Sequence, residues 1–457
     1  MDAPVTDAGT GALTLTTNDG GTNGHLQFGS GGNIALWGLA NALTINGQPY
    51  TLVNSVASLA AAISANPSGS YALVASYDAA VDKTYRQDPI ATTFEGNFEG
   101  LGNAISNVSI RMTGGDIGFF NTIGANGSVS DFRLRNINIF QPNVGGANVG
   151  GLAALSNGSL FGDEVSGSIV SHYAEWLGGL IGTGSTGSIS HCSSTVSVIA
   201  PHWGPLQGGG GLAGGFGGSV IDSYATGDVK GTELPGPIGG LVGSSWGPIV
   251  HSHATGNVTA PFGNSTGAGG LAGSTSEPVS DSYATGDVTA GRVYAGGLVG
   301  SAFGPIIRSF ATGNVPLKYT GLQGAGGLVG ESTSTINDSY ATGTPPGEWQ
   351  QVNSGGLVGY SDETASIATS YATGKALGQG GGFICAANAF ELSNDYWDTT
   401  MSGTIYGVCN NTNIAGVTGL TTTQLQAGLP AGFDPKIWAE DRKINHGLPY
   451  LIANPPQ

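Results

Sequence analysis

Basic residues and charged residues in general are scarce in this sequence. The 457 residues include 13 Lys and Arg against 30 Asp and Glu, which gives a formal net charge of −17. A chain of this sign repels phosphate backbones, so nucleic acid is excluded as a natural partner. No apolar run reaches the length of about 18 residues that a membrane-spanning helix needs. The first residues also lack the basic and apolar blocks of a signal peptide, so Met1 is expected to begin a mature or trimmed chain.

Cysteine is almost absent, which excludes a disulfide-rich scaffold. Cys192, Cys385 and Cys409 show none of the close spacing that a zinc site requires. Cys385 and Cys409 are separated by about the length of one repeat described below. They either pair across stacked coils in an oxidising compartment or remain two buried thiols.

Common catalytic and metal-binding motifs are also missing. Neither His-Glu-xx-His nor the phosphate-binding Gly-xxxx-Gly-Lys-Ser/Thr occurs, so the sequence predicts no cofactor. Five of the seven histidines lie within 82 residues, but no repeat position collects three of them, so no metal site is predicted. These five are His172, His191, His202, His251 and His253.

What the sequence does have is glycine, 82 residues of it, arranged in a repeat. A Gly-Gly-apolar step returns every 26 to 32 residues, with its apolar residue at Leu152, Leu180, Leu212, Leu241, Leu271, Leu298, Leu328, Leu357 and Phe383. A second motif, Asp-Ser-Tyr-Ala-Thr-Gly, follows in phase. It is intact at 222–227, 281–286 and 338–343, and degenerate at 251–256, 308–313 and 369–374.

The pattern inside each repeat favours strands over helices. Short apolar runs are bounded by Gly, Asn, Asp and Pro, and nothing in the repeats extends ten residues at helical spacing. The Leu and Asn pattern of leucine-rich repeats is missing. We therefore predict an all-β, parallel β-solenoid of about ten or more coils, each with roughly three short strands, and with short helical capping elements. The varied coil length favours a right-handed helix.

Stacked coils convert each repeat position into a row of equivalent residues along the axis. One predicted row is largely aromatic: Tyr173, Cys192, Tyr224, His253, Tyr283, Phe310, Tyr340, Tyr371 and Tyr396. Two residues earlier, a charged row alternates in sign: Asp222, His251, Asp281, Arg308 and Asp338. Because stacked like charges repel, we interpret this row as a structural charge ladder. The alternative is a catalytic Asp-His-Asp set.

Some aromatic residues lie outside the repeat pattern. We predict that they either contact a glycan or protein partner or cover the apolar turns of the coils. These residues are Trp203, Trp246, Phe303, Trp349 and Tyr360.

The repeat pattern is absent at both ends of the sequence. We predict irregular β coils over residues 1–46, a helix-containing lead-in over 47–110, the repeat solenoid over 111–400 and a cap over 401–457. The helix is expected near 50–66, with Asn54 or Ser55 as its N-cap.

The repeats resemble a known family, the bacterial GLUG-motif proteins, many of which are filamentous-haemagglutinin-like adhesins exported by two-partner secretion. The resemblance rests on Gly-Gly-Leu-Val-Gly at 239–243, 296–300, 326–330 and 355–359, together with the Ser-Tyr-Ala-Thr-Gly copies. It extends over roughly residues 40–455. It implies a solenoid that is secreted or displayed on a cell surface.

These observations predict a non-catalytic structural or adhesin-type protein that presents a repetitive face to a glycan or protein. Two alternatives remain open. One is a polysaccharide-degrading β-helix enzyme, either a lyase or a glycoside hydrolase, which would need two carboxylates or a basic residue with Ca²⁺ in a groove. The other is an extracellular fibre subunit that associates end to end through unpaired strand edges.

Overall fold

The computed structural model confirms an all-β fold with a parallel β-solenoid of about 12 turns. It describes residues 1–7, 9–17, 24–29, 31–36, 38–142, 146–201, 206–231, 236–261, 267–291, 293–316, 323–345, 353–362, 364–375, 380–385, 391–409 and 413–456.

Each regular coil contributes five short strands to four parallel sheets, instead of the three strands expected from the sequence. The coil 242–269 is typical: it runs through Val242–Ser245 in sheet 1, Ile249–Val250 in sheet 2, His253–Ala254 and Val258–Ala260 in sheet 3, and Gly267–Gly269 in sheet 4. The sequence pattern missed sheet 4 because its strands consist mainly of glycine and alanine, which carry no alternation of polar and apolar residues.

Sheets 1 and 2 follow each other directly in each coil between Phe120 and Ala368, whereas the first coils and the last, among the described residues, contribute a strand to sheet 2 but none to sheet 1. Sheet 1 contains Phe120–Ile123, Ala153–Ser156, Ile181–Gly184, Ala213–Phe216, Val242–Ser245, Ala272–Thr275, Val299–Ala302, Val329–Ser332 and Val358–Ser361. Sheet 2 contains Ala12–Leu15, Ala42–Ile45, Gln48–Val53, Ser70–Leu73, Asn97–Glu99, Ser128–Ser130, Ser159–Phe161, Ser188–Ser190, Ser219–Ile221, Ile249–Val250, Val279–Ser280, Ile306–Ile307, Thr335–Asn337, Ser366–Ala368 and Glu391–Ser393.

Sheet 3 receives two strands from five of the coils and one from the others, and sheet 4 receives one strand from each coil between Ala147 and Gly355. Sheet 3 contains Tyr77–Asp78, Ala104–Ser106, Ser109–Arg111, Arg133–Gln141, Glu164–Ser171, Ser193–Ser194, Ser197–Ala200, Tyr224–Ala225, Val229–Gly231, His253–Ala254, Val258–Ala260, Tyr283–Ala284, Val288–Ala290, Phe310–Ala311, Tyr340–Ala341, Tyr371–Ala372, Asp395–Asp398 and Val417–Leu420. Sheet 4 contains Ala147–Gly150, Ala174–Gly178, Gly208–Gly210, Ile238–Gly239, Gly267–Gly269, Tyr294–Gly296, Gly324–Gly326 and Asn353–Gly355.

The solenoid extends past both ends of the predicted 111–400 segment. Parallel pairing already joins Thr51 to Tyr71 and continues to the pair of Asp398 with Leu420. Two further pairs of strands lie outside the four sheets, Val5–Asp7 with Ile34–Leu36 and Trp438–Ala439 with Tyr450–Leu451. The lead-in segment therefore forms the first coils, because its strands continue the same hydrogen-bonded register.

Helices are short among the described residues. The longest, α1 (Val56–Ala65), begins at the N-cap Ser55, whose hydroxyl accepts from the backbone N–H of Ser58. The others are α2 (Thr399–Ser402), α3 (Thr422–Leu425) and the 3₁₀ turns Ala79–Val81 and Asn445–Gly447. None of these helices combines the length and the apolar character needed to cross a membrane.

The glycines of the repeat allow sheets 1 and 4 to touch backbone to backbone. A methyl group on Gly243 would lie 2.4 Å from the carbonyl oxygen of Gly214 and 2.5 Å from the nitrogen of Gly209. Equivalent close approaches occur at Gly273, Gly300, Gly330 and Gly359. The apolar residue that follows each Gly-Gly step, such as Leu241, is fully buried in the core. The Gly-Gly-Leu-Val-Gly motif therefore encodes a close contact between sheets.

A row of buried serines lies at the corner between sheets 2 and 3. In each coil the serine hydroxyl donates to a carbonyl two residues earlier and accepts the N–H of the equivalent residue in the preceding coil. Ser252, for example, donates to Val250 and accepts from Ser223. The row comprises Ser223, Ser252, Ser282, Ser309, Ser339 and Ser370. It satisfies the buried backbone groups of a sharp corner.

Near the N-terminal end this row contains a carboxylate. Asp163 is fully buried; its Oδ1 accepts from the N–H of Phe132, while its Oδ2 has no hydrogen-bond partner. Burial raises the pKa of Asp163 well above its usual range and, with the nearby Asp131, does the same for Glu99. Burial also raises the pKa of Asp131 to about 7. These carboxyls form a buried acidic cluster.

Cys385 and Cys409 form a disulfide, which resolves the alternatives left open by the sequence. They are 24 residues apart in sequence, and their Cα atoms lie 4.7 Å apart. Cys192 is a buried free thiol. The bond therefore connects the last coils of the solenoid.

We expect Gly243→Ala to lower the free energy of unfolding by about 1–3 kcal/mol, because the methyl group would be forced into the facing backbone. Gly209→Ala is the matched control: its methyl group would meet its nearest atom, Leu206 Cδ2, at 3.5 Å. Urea unfolding followed by circular dichroism measures both. Equal stability of the two variants would contradict the close contact between sheets.

We expect Asp163→Ser to stabilise the protein at pH 8, by on the order of 1–3 kcal/mol, because serine continues the hydroxyl row without a buried acid. Since the folded pKa of Asp163 is raised, its contribution to stability falls as the pH rises above the usual value of 3.8. The gain should therefore shrink toward pH 4. Thermal unfolding at both pH values measures it, and a loss of stability at pH 8 would refute the assignment.

Candidate functional site

The structure places the five charged residues of the predicted ladder in successive turns between sheets 2 and 3. Arg308 forms a bidentate ion pair with Asp281, with N–O distances of 2.7 and 2.6 Å. His251 lies between two carboxylates, with its ring nitrogens 4.0 Å from oxygens of Asp222 and of Asp281. The pKa of Arg308 is raised, first by its hydrogen bond to Asp281 and also by the charge of Asp338. Acidic side chains therefore alternate with His251 and Arg308 along the row.

Backbone conformation explains which residues occupy this row. Asp222, His251, Asp281, Arg308 and Asp338 all have left-handed conformations, with φ between 45° and 51°. Asp and His are enriched in this region among non-glycine residues. The row is thus constrained twice, by the turn and by the repulsion between like charges. Arg308 fits the turn less well than its neighbours but is held by its ion pair.

The row is longer than the sequence suggested. His191 precedes Asp222 with the same left-handed backbone, and its Nε2 lies 3.8 Å from Asp222 Oδ2. At the other end the hydroxyl of Thr369 donates to Asp338 at 2.7 Å. The indole of Trp438 also donates to Asp338, at 3.2 Å. His191 was missed because its coil lacks the Ser-Tyr-Ala-Thr-Gly motif, and Thr369 because it carries no charge. Trp438 was missed because it lies 100 residues from Asp338 in sequence.

The aromatic row forms a continuous stack of nearly parallel rings from Tyr224 to Tyr371. Successive ring centroids lie 4.6 to 5.0 Å apart and successive planes differ by 3 to 7°. Two predicted members were wrong: Cys192 and Tyr173 do not align with Tyr224. Ser193 pairs with Tyr224, and Glu164 pairs with Ser193. The phase was lost because that coil lacks the Ser-Tyr-Ala-Thr-Gly motif.

Two terminal segments cover the ends of this charged and aromatic face. At the N-terminal end, Arg133 donates to the carbonyls of Gly29 and Gly32. The ring of His25 stacks on Phe161 at 4.2 Å. We call residues 24–36 the N-terminal strap, of which residue 30 lies outside the described residues.

At the other end, residues 421–456 form the C-terminal cap. Trp438 packs 6.0 Å from Tyr340 and 5.9 Å from Tyr371, measured between ring centroids. The hydroxyls of Tyr371 and Tyr396 donate to carbonyls of the cap. The cap therefore covers the last rings of the stack.

Between the strap and the cap, the face is open to solvent. The side chains of His191, Asp222, His251 and Arg308 are between 38 and 50% exposed, and Tyr224 is the most exposed ring of the stack. We call this part of the face the open window. It consists of Glu164, His191, Asp222, Tyr224, His251, His253, Tyr283 and Arg308, whereas Ser193 and Asp281 of the same rows are buried.

A second surface, the aromatic seam, lies where sheets 1 and 4 meet. Trp246 and Phe303 are 45% and 46% exposed. Their backbone N–H groups bond to Phe216 and Thr275 in the same register, so they occupy one row, two coils apart. Tyr360 lies on a row two residues earlier along the strand, aligned with Ser301 and Glu331.

Other side chains at the seam support these aromatics. Trp176 packs edge to face on Trp246, with centroids 5.2 Å apart, and Tyr294 lies 6.1 Å from Tyr360. Glu331 accepts hydrogen bonds from Ser301 and Tyr294, and its own pKa is raised by burial. Burial and Glu331 raise the pKa of Tyr294 to about 12. We define the seam as Trp176, Trp246, Tyr294, Phe303, Glu331 and Tyr360. The predicted contact residues Trp203 and Trp349 lie outside the described residues.

Catalysis would require closer contacts at His251 and a more exposed hydroxyl at Ser245. His251 makes no hydrogen bond to either carboxylate at 4.0 Å, whereas a general base needs a partner within about 3 Å. Gly243-Ser-Ser-Trp-Gly247 matches the spacing of a hydrolase nucleophile motif. However, Ser245 ends a strand, is buried and donates to Gly247. The described part of the chain contains no cluster of three potential metal ligands.

A further polar row was missed by the sequence analysis. The residue after each of the first four Ala-Thr-Gly motifs alternates between Asp and Asn, and its side chain accepts the N–H of the equivalent residue in the next coil. Asp228 accepts from Asn257, Asn257 from Asp287, and Asp287 from Asn314. The signal was present, because these residues follow the motif at a constant position. The row stabilises the corner inside sheet 3.

We expect Arg308→Asp to lower the free energy of unfolding by about 1 kcal/mol more than Arg308→Asn at low salt. Asp and Asn both tolerate the left-handed backbone. The difference in unfolding free energy between the two variants therefore reports the repulsion among the three stacked carboxylates. Screening in 1 M salt should shrink this difference. Guanidinium is itself a salt, so urea unfolding is the measurement; a difference independent of salt would argue against the charge ladder.

Comparisons with known proteins give limited similarity. No family model matches the chain. Halomucin of Haloquadratum walsbyi (strain DSM 16790 / HBSQ001) is 32% identical over 232 residues, which cover 42% of this chain and 2% of halomucin. A solved structure of an IgA1 protease aligns with a TM-score of 0.40 and 19% identity, covering 65% of this chain and 23% of that one. The chain thus spans a small part of either protein.

Proposed function

We propose that this chain is a non-catalytic, adhesin-type β-solenoid, secreted or displayed on a cell surface, that binds a glycan or protein partner through its aromatic seam. The observation that carries the proposal is the pair of exposed aromatics Trp246 and Phe303 in one row of a rigid sheet. Large exposed aromatic side chains on a rigid surface are typical anchors of binding sites.

The geometry of the seam suits an extended ligand. Trp246 and Phe303 lie two coils apart, which corresponds to about 10 Å along the axis. Trp246 is supported by Trp176, and Tyr360 by Tyr294, so these rings lose little freedom when a ligand binds. Glu331, hydrogen-bonded to Tyr294 and Ser301, adds a polar acceptor beside the rings.

Two observations favour a location outside the cytoplasm. The disulfide between Cys385 and Cys409 belongs to an oxidising environment. The GLUG-type motifs also resemble those of exported adhesins. Membership of the GLUG family remains part of this proposal.

The proposal of a non-catalytic role rests on how the carboxylates are used. Asp222 and Asp281 belong to a row that repeats along the coils, and Asp281 is held by Arg308. In this arrangement the acids neutralise their neighbours, which is a sufficient reason for their positions. The competing function is that of a polysaccharide lyase or a glycoside hydrolase, and the binding experiment described next also tests it.

We expect Trp246→Ala and Phe303→Ala each to weaken glycan binding at least tenfold, because each removes a large exposed contact surface. Binding is measured on a glycan array and then by calorimetry with the best ligand. Ile405→Ala, which changes another exposed apolar residue, is the control and should bind like the unmodified chain.

Two results would contradict the proposal. Unchanged binding by the Trp246→Ala, Phe303→Ala double variant would exclude the seam as the binding surface. Release of new reducing ends or unsaturated products from the bound polysaccharide would establish an enzyme instead of a binding protein.

A further inference from the structure

A cleft opens on sheet 3 near the N-terminal end of the solenoid. Its volume is about 590 Å³, and three successive coils line it. The strand Arg133–Gln141 bulges at this place, because its pairing with Glu164–Ser171 shifts between Leu134 and Ile137. Gly167, in the next coil, lines the cleft and carries no side chain that could fill it. The cleft therefore results from the backbone of the sheet.

Polar side chains line the cleft with their hydrogen-bonding groups still available. Ser109, Asn138 and Ser168 are in register on three coils, and none of their side chains bonds to another residue in the described part of the chain. Further along the solenoid, residues of the same row bond to the next coil, as Asp228 does to Asn257. In the cleft, the donors and acceptors of the row can instead bond to a ligand.

Two asparagines hold the other wall of the cleft in place. The side chain of Asn136 donates to that of Asn107 at 2.6 Å, and Asn107 donates to Asp78 at 2.7 Å. Both asparagines have left-handed backbones, with φ of 54° and 62°. This wall is therefore ordered before a ligand arrives, which lowers the entropy cost of binding.

Arginines border the cleft, although basic residues are scarce in this chain. Arg111 lies two residues after Ser109 on one strand, so both side chains project from the same face. The guanidinium of Arg111 stacks over the ring of Phe140, 4.4 Å from its centroid. Arg135 directly precedes Asn136 and is exposed. Cationic side chains thus adjoin both rows of the lining.

A third arginine adds a like charge that the protein does not neutralise. Arg86 follows Tyr85, Arg111 follows Ile110, and Tyr85 and Ile110 form a parallel β-bridge. The backbones of the two arginines are therefore neighbours, about 4.8 Å apart. In the part of the chain that the structure describes, neither forms an ion pair, in contrast to Arg308. Adjacent like charges without a counter-ion on the protein favour an anionic ligand.

We propose that this cleft binds an acidic sugar of a polysaccharide, with its hydroxyls on the asparagine and serine side chains and its carboxylate or sulfate on Arg111 and Arg86. Asn and Ser side chains both donate and accept, as sugar hydroxyls do. A guanidinium matches two oxygens of a carboxylate or of a sulfate. The site lies on sheet 3 and the seam where sheets 1 and 4 meet, so either site can fail without the other.

The surrounding charges do not prevent an anion from binding here. The net charge of −17 belongs to the whole chain, and salt screens charges beyond about 8 Å at physiological ionic strength. Of the neighbouring acids, Asp78 already accepts from Asn107. Asp82 accepts from the hydroxyls of Tyr77 and Tyr85. A peptide fits less well, because the apolar residues of the lining are buried and offer no pocket for its side chains.

Four small probes separate these chemistries on the full chain. Methyl β-glucuronide and glucose 6-sulfate carry hydroxyls and an anion, methyl β-glucoside carries hydroxyls alone, and N-acetylglutamate methylamide carries an anion on a peptide unit. Dissociation constants are measured by NMR titration at constant salt. We expect at least one anionic sugar to bind about tenfold tighter than the glucoside and the peptide unit, because its ionic and neutral hydrogen bonds act together.

Matched variants test the two kinds of contact. Arg111→Gln should weaken binding of the anionic sugar about tenfold, and Arg86→Gln, which keeps the contact with Phe140, should weaken it as well. Asn138→Ala should weaken it about threefold by removing a neutral hydrogen-bonding group. Arg442→Gln removes the same charge from an exposed residue of the cap and should leave the affinity unchanged. Circular dichroism checks that each variant is folded.

Several outcomes would overturn the proposal: neither anionic sugar binds, the glucoside binds as tightly, Asn138→Ala has no effect, or Arg442→Gln acts like Arg111→Gln. Equal or tighter binding of N-acetylglutamate methylamide would indicate an acidic peptide in place of a sugar. Loss of binding in Trp246→Ala alone would refute this site and leave the proposed function at the seam standing. Loss in Arg111→Gln but not in Trp246→Ala would support this site independently of the seam.

Discussion

The structure depends on one constraint: every coil must hydrogen-bond to the coil beneath it in a fixed parallel register. The N–H of Leu212 bonds to the carbonyl of Leu241, that of Leu241 to Leu271 and that of Leu271 to Leu298, each at 2.8 Å. Because this spacing is constant, any side chain chosen at one position meets its equivalent about 4.8 Å away. Aromatic rings then stack, and hydroxyl groups form a continuous row of hydrogen bonds. Like charges must be separated by a neutral residue or by an opposite charge.

The same constraint explains how much could be predicted from the sequence. Where the motif is intact, counting residues places Tyr224, His253 and Tyr283 in one row, and the structure has them stacked. Counting fails at Cys192, whose coil lacks the motif, because the residue that pairs with Tyr224 is Ser193, one position later. The contact between sheets 1 and 4 was invisible for another reason: backbone packing at Gly243 leaves no pattern of side chains to recognise.

The candidate sites were only partly predictable, because they depend on contacts between distant segments. The alternation of acidic and basic residues from Asp222 to Asp338 can be read from the repeat. The contact of Trp438 with Asp338 cannot, because it spans 100 residues. Likewise, nothing local in the sequence indicates that Arg133 binds the strap at Gly29. These two contacts decide which part of the face is covered, and so they determine the limits of the open window.

The ends of a row are special in such a fold, because a side chain there has only one neighbour in the row. An intact row satisfies itself: each ring covers the next, and Asp281 is neutralised by Arg308. At the C-terminal end of the aromatic row, the protein fills the remaining surface with its own Trp438 and Phe433. At the other end the rings stop at Tyr224, because its in-register neighbour is Ser193. The length of the stack is therefore set by one residue at its N-terminal end and by the cap at the other.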